Sequence, residues 1–299
     1  MGWHHDRVTE RTRRDLCPGL LRPWIADDGA LVRVRVPGGQ LSTVSLQGLL
    51  DVATAHGDGA VHLTTRANLQ VRAIAHDDGC LSDVVVDAVM ATGLMPSASH
   101  ERIRNVMASP LTGRSGGRAD LRPVVRELDR LLCADPTLAA LAGRFLFVLD
   151  DGRGDVAGRD LDLGLVALSQ DEVQVRAGRD GWGPVVPLER SAEALVALAR
   201  HFLDAAGAQP DSPWHVDELT GAGGALIGTA HDRRTETRVS TGEPPLGRIA
   251  QDDGRFALHL AVPDGRLDRP LMDGVLALDA AHVVITPWRS LIVPDLEIA

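Results

Sequence analysis

Apolar and polar residues alternate over Leu31–Val36, with Arg33 and Arg35 on the polar side, and Pro37-Gly38-Gly39 ends the run. Such alternation predicts a strand with one wet face. Leu46, Leu49, Leu50 and Val52 then recur at helical spacing over Ser42–Ala55. Ser42 or Thr43 stands at the N-cap, and His56-Gly57-Asp58-Gly59 closes the helix. Val61–Arg72, V-H-L-T-T-R-A-N-L-Q-V-R, returns to a strand pattern, interrupted where Thr65, Arg66, Ala67 and Asn68 set a cation beside an amide. A second helical pattern runs over Cys80–Thr92 and stops at Gly93. The order β-α-β-α is the core of a ferredoxin-like unit.

Residues 96–119 lack a sustained period and read as irregular connection. An amphipathic helix is predicted over Asp120–Leu132 and a short one over Pro136–Ala142. Strands follow at Arg144–Asp150, Asp162–Ser169 and Glu172–Ala177, then a strong helix over Ser191–Ala206, with Leu195, Leu198, Ala199 and Phe202 on one stripe. The stretch from Ala208 to Gly247 is rich in Gly, Thr, Asp and Pro and reads as a linker, with a short element at Trp214–Leu219. Phe256–Val262, Leu271–Leu278 and Val283–Thr286 then predict strand, helix and strand.

The two ends match each other. Val36-Pro37-Gly38-Gly39-Gln40-Leu41 corresponds to Val262-Pro263-Asp264-Gly265-Arg266-Leu267, and the Leu63–Val71 stretch to Ile285–Val293. The order strand, V-P-x-G turn, helix, strand, Thr, Arg is kept, with Arg289 expected at the end that matches Arg66. This predicts a duplicated unit whose copies pack as a pseudo-dimer, with a groove between them as the natural ligand site.

Composition narrows the chemistry. All 31 basic residues are arginine, so any anion site uses a planar fork that stays charged. A net charge of −10 argues against nucleic acid as the main partner. No apolar run of membrane-spanning length occurs, and the polar N-terminus lacks a signal-peptide core, so a cytoplasmic location and no membrane partner are expected. Aromatics are 3% of the chain, so aliphatic packing has to build the core. Cys17, Cys80 and Cys133 are the three cysteines, too few for a four-thiolate cluster from this chain alone.

Several residues carry candidate chemistry. Arg66 beside Asn68 reads either as a carboxylate- or anion-binding pair or as a surface arginine at a strand end. His100–Asn105 reads as a charged helix start or as a second arm carrying Arg104 and Asn105. Arg144 leads into an apolar strand, which calls for an ion-pair partner or a pocket edge. Asp150, Asp151 and Asp155 around Gly152 and Gly154 complete no calcium loop and read as a solvated turn. His4-His5 in the tail carries little weight as a metal site. Nucleotide-binding and serine-hydrolase signatures are absent.

Five segments together resemble the precorrin-3B synthase branch of the siroheme nitrite/sulfite reductase family. They are C-P-G-L-L-R-P-W (17–24), L-T-T-R-A-N-L-Q-V-R (63–72), P-S-A-S-H-E-R-I-R-N-V-M-A-S-P-L-T-G (96–113), G-R-F-L-F-V-L-D-D-G-R-G-D-V (143–156) and T-P-W-R (286–289). The resemblance implies an α+β fold of duplicated ferredoxin-like half-domains with an intervening larger α+β repeat. The implied divisions are a flexible tail at 1–16, half-domain 1 at 17–95, the larger repeat at 96–207, a linker at 208–244 and half-domain 2 at 245–299. It implies Arg66 and Arg104 as catalytic arginines. It further implies an anionic tetrapyrrole held by Arg66, Asn68, Arg104, Asn105, Arg144 and Arg289. Leu146 stands where the sulfite reductases have a basic residue, which fits the precorrin branch. The family's cofactors are siroheme and a [4Fe-4S] cluster. The cluster cysteines lie in a second large repeat that this sequence does not contain, so neither cofactor is fully ligated by this chain alone. The resemblance therefore implies a cobalamin-pathway oxidoreductase acting on a polycarboxylate tetrapyrrole, completed by a separate cluster-bearing repeat or electron donor. The alternatives are a non-catalytic tetrapyrrole- or siroheme-binding protein and a truncated homologue.

Overall fold

The computed structural model describes residues 15–297 other than 208, 210, 211 and 230. The first unit runs β1 (Trp24–Ala26), β2 (Gly29–Val34), β3 (Gln40–Ser42), α1 (Thr43–His56), β4 (Val61–Leu63), β5 (Leu69–Ile74) and α2 (Asp83–Ala91). The middle of the chain supplies β6 (Val106–Ala108), α3 (Arg122–Ala134), β7 (Phe147–Asp150), β8 (Leu163–Ala167), β9 (Glu172–Ala177), β10 (Gly181–Pro187), α4 (Ser191–Ala206) and α5 (Ala222–Ile227). The last unit is β11 (Gly247–Ala250), β12 (Phe256–Leu260), β13 (Arg266–Leu267), α6 (Arg269–Leu276), β14 (His282–Ile285) and β15 (Leu291–Leu296).

The duplication is real and runs deeper than the sequence match. The first sheet has the order β1-β2-β5-β4-β13 and the last β11-β12-β15-β14-β3, so equivalent strands occupy equivalent places. Each unit gives its short strand to the other's sheet. β3 pairs with β14, Leu41 opposite Val283, and β13 pairs with β4, Leu267 opposite Val61. The turn before each short strand makes this exchange possible. Pro37 and Pro263 start it, and the next two residues adopt positive φ: Gly38 (63°) and Gly39 (70°), Asp264 (56°) and Gly265 (69°). That left-handed pair swings the chain out of its own sheet. α1 starts where the Ser42 hydroxyl accepts the Ser45 N–H at 2.9 Å, and Leu46, Leu49 and Leu50 are fully buried. Side chains of both units, including Val32, Leu69, Met272, Val283 and Leu291, form one continuous core.

Between them lies a mixed sheet of order β10-β9-β8-β7-β6, with β6, β7 and β8 parallel. Its second core joins Phe145, Phe147 and Leu165 to Leu128 of α3 and Phe202 of α4. Phe145 stacks at 5.0 Å on Phe202 and at 5.4 Å on Phe147.

Some local expectations are corrected. β7 begins at Phe147, and Arg144 lies exposed in the loop that leads to it, not in the strand. Much of the expected linker is packed against the middle domain. Gln174 Nε2 donates to Asp232 O at 2.9 Å, and Arg118 Nη1 to Glu236 O at 2.8 Å. Most of the expected tail, with His4-His5, lies outside the described residues, but Asp15 is anchored. Its carboxylate accepts from Gly143 N at 2.6 Å and Arg102 Nη1 at 2.7 Å. The acidic turn is also buried where a solvated one was expected. Asp150 is 0% exposed because its carboxylate accepts from the backbone N–H groups of Gly152, Gly154, Val156 and Ala157. Among the described residues, no helix is long and apolar enough to cross a membrane.

Candidate anion-binding groove

The interrupted strand at residues 63–69 is a tight turn in both copies. Thr64 N donates to Asn68 O at 2.9 Å, and Thr286 N to Ser290 O at 3.0 Å. Positive φ falls at Ala67 (54°) and Arg289 (61°). These anchors set the equivalence of the copies. Arg66 corresponds to Trp288, and Arg289 to Ala67, the register in which Leu63–Val71 matches Ile285–Val293, so the two arginines stand one position apart at the same turn. Arg289 is exposed and reaches Asp264 O at 3.4 Å, and no described contact joins it to Arg66 or Arg144.

Asn68 and Asn105 do meet, inside the protein. Asn68 Nδ2 donates to Asn105 Oδ1 at 3.0 Å, and Asn68 Oδ1 accepts from Val36 N at 3.0 Å. Asn105 Nδ2 donates to Gly143 O at 2.6 Å. Both side chains are buried, so the pair clamps the first half-domain to the middle domain rather than facing a ligand. Burial without these bonds would leave several amide groups unsatisfied.

Arg104 is also committed internally. Its Nε and Nη2 grip Asp129 at 2.6 and 2.7 Å, and Nη1 donates to Leu94 O at 3.1 Å. Asp129 of α3 commits it there, and no described contact joins it to Arg66. Arg104→Ala is expected to cost about 2–3 kcal/mol of stability in urea unfolding, since it strands a carboxylate that is only partly hydrated. A variant as stable as the parent would show that this fork carries no structural role.

Four other arginines gather around the Arg66 turn. Arg66 Nη1 donates to Arg144 O at 2.8 Å. Arg33 and Arg35 follow at alternate positions of one chain face, running on from β2. Gln70 on β5, in the amide orientation that satisfies both groups, accepts from Arg33 Nε at 2.9 Å and Nη2 at 2.6 Å. Arg35 donates to Arg102 O and Gly143 O, each at 3.1 Å. Among the described residues, none of the four forms an ion pair within 4 Å. Burial and then Arg144 lower the pKa of Arg66, while Cys17, Asp162 and Asp160 oppose them. Burial also lowers Arg33, and it brings Arg35 down to about 9, with Arg33 and Arg66 adding repulsion. The sequence had marked Arg33 and Arg35 only as a wet strand face; their i, i+2 spacing beside the Arg66 turn was the signal available.

The thiols do not converge with one another. Burial, with Asp15 adding to it, raises the pKa of Cys17, which disfavours the thiolate a metal needs. Among the described residues, one group could hold a metal: Asp150, Asp151 and Asp155, with ligand atoms within 4.8 Å of one another. Arg153 already compensates it, at 2.7 Å from Asp151 and 3.6 Å from Asp155.

The comparisons with known proteins agree with this architecture. The Nitrite/Sulfite reductase ferredoxin-like half domain matches residues 26–78. A precorrin-3B synthase of Sinorhizobium sp is 32% identical over 144 residues, which cover 47% of this chain and 29% of that protein. A ferredoxin–nitrite reductase of Leptolyngbya laminosa is 26% identical over 151 residues, 48% of this chain and 29% of that one. Its counterpart in Synechococcus elongatus is 25% identical over 179 residues, 57% of this chain and 34% of that one. The chain thus spans about a third of the length of these curated relatives. The solved structure of the Mycobacterium tuberculosis NirA protein shares the fold, with a TM-score of 0.72 at 19% identity, over 92% of this chain and 56% of that one. Residues 26–78 thus match a nitrite/sulfite reductase ferredoxin-like half domain, about half of the chain resembles curated relatives of that kind, and the chain shares the fold of the NirA protein.

Proposed function

We propose that this chain forms the arginine-lined part of a tetrapyrrole site in an oxidoreductase of precorrin-3B synthase type. The observation that carries the reading is the gathering of Arg33, Arg35, Arg66 and Arg144 without an ion-pair partner among the described residues. Like charges held together at partial burial are costly unless an anion joins them. A macrocycle bearing several carboxylates supplies that anion, and guanidinium forks match carboxylates bidentately. The similarity to a precorrin-3B synthase at 32% identity supports the branch, as does the buried apolar Leu146 two residues past Arg144.

The donor chemistry fits the carboxylate rim of siroheme or of a related substrate, with Arg33, Arg66 and Arg144 as the holding residues. Bound there, siroheme would supply one-electron chemistry at its iron. The arginines bind and orient the ring, and the Asn68–Asn105 clamp fixes the turn that carries Arg66. An iron–sulfur cluster does not fit, because three separate cysteines cannot give four thiolates. A cluster, if used, comes from another segment or protein. That same shortfall favours a second reading, a tetrapyrrole-binding protein without redox activity of its own.

Titration with uroporphyrin, an octacarboxylate probe, tests the proposal. Arg66→Ala is expected to weaken binding at least about tenfold, the loss of one charge-assisted fork. Arg104→Ala should leave it unchanged. Equal affinity of the parent and Arg66→Ala would reject the groove as the site.

A further inference from the structure

A second basic enclosure lies behind the Asn68–Asn105 clamp. It is a cavity of about 430 Å³ between the Pro37–Ser42 turn, the segment after α2, and α3, with His282 at its edge. That volume is in the range of small-molecule sites. Its lining holds Arg35, Arg104, Arg122 and Arg126 against a single acid, Asp129. Two of the cations are neutralised, Arg104 by Asp129 at 2.6 Å and Arg122 by Asp120 at 2.8 Å. Arg35 and Arg126 form no ion pair among the described residues.

Arg35 is the informative one. It is 2% exposed, and its Nη1 is buried without a hydrogen-bond partner. A buried guanidinium N–H left unpaired costs on the order of 1–3 kcal/mol, so it calls for an acceptor. Arg126 stands exposed on α3. Between the two, Val36, Leu41, Leu94 and Val125 give the wall an apolar stretch. The charge runs against the −10 of the whole chain.

The geometry points to a binding site for a small organic anion, a carboxylate or phosphate on an apolar body, held between Arg35 and Arg126. The site shares Arg35 with the Arg66 groove but takes its second cation, Arg126, from α3, and it needs no tetrapyrrole. Gln40, whose amide lines the same wall, adds a neutral donor for the anion.

Isothermal titration of the full chain with 1-naphthyl phosphate tests this, with inorganic phosphate as competitor. The parent is expected to bind one equivalent. Arg126→Glu, at an exposed helix position where folding is unaffected, should weaken binding at least about tenfold. Arg66→Ala should bind like the parent, which separates this cavity from the groove. Arg35→Gln, with folding checked by circular dichroism, should weaken binding as well. No binding by the parent, full binding by Arg126→Glu, or loss of binding in Arg66→Ala would overturn the proposal.

Discussion

Gly39→Ala is expected to lower the folding stability by about 4 kcal/mol or more. Gly39 has φ of 70°, where an alanine is strained by about 1–3 kcal/mol on its own. A methyl group there would also overlap the backbone oxygen of Ile285 in β14. Backbone cannot step aside as a side chain can, so relief requires breaking the pairing of β3 with β14, and that edge borders the shared core. The combined cost is a large share of the stability of an ordinary domain. Gly265→Ala is the matched control. Its φ of 69° is the same, but the methyl would meet the Arg289 side chain at 3.1 Å and Leu63 O at 3.2 Å. Those contacts are far less severe than the one at Gly39, and the Arg289 side chain can move, so about 1–2 kcal/mol is expected. Urea midpoints of the two variants decide the matter; equal losses would mean that the overlap with Ile285 does not govern the turn.

The second large effect depends on pH. Burial pushes the Asp155 carboxyl up to about 7; Ser109, donating at 2.6 Å, pulls it down, and Asp150 adds repulsion. The folded pKa is raised above the unfolded value of 3.8. The group's stabilising contribution is therefore complete below pH 3.8 and is lost as pH rises through 7. A rise of that size amounts to about 4 kcal/mol between the two limits. Asp155→Asn removes the charge, keeps an acceptor for Ser109, and turns an amide N–H toward the neighbouring carboxylates of Asp150 and Asp151. The variant should match the parent near pH 4 and exceed it by several kcal/mol at pH 8, read as the difference in unfolding free energy. A difference that does not change with pH would show that Asp155 is not the titrating group.

The regular elements were legible because they rest on local rules. The Ser42 cap and the apolar stripe of α1 announce that helix, and the repeated V-P-x-G marks the duplicated turn. β3 and β13 were not legible. Strands of three and two residues have no period of their own and exist only through partners 200 residues or more away. The register of the copies was legible: Leu63–Val71 aligns with Ile285–Val293, and the turns share the threonine bond and the left-handed residue, with Arg66 and Arg289 one position apart. At the groove, the Arg66 guanidinium reaches the Arg144 backbone carbonyl, a contact that sequence spacing does not display. Arg104 was implied by the resemblance, but its partner is Asp129, a helix position no spacing rule connects to it. The burial of the acidic turn depends on four backbone N–H groups, which sequence patterns do not display.

The traded edge strands make the two halves of the outer layer a clasp. Neither sheet has its full complement of strands until the other end of the chain, some 200 residues on, has been made and returned. Closure of the outer layer is therefore a late, long-range event during synthesis, with the middle domain already in place to receive it. A lesion at either turn opens the edge of the other copy's sheet, so each copy is held by a strand that its counterpart supplies.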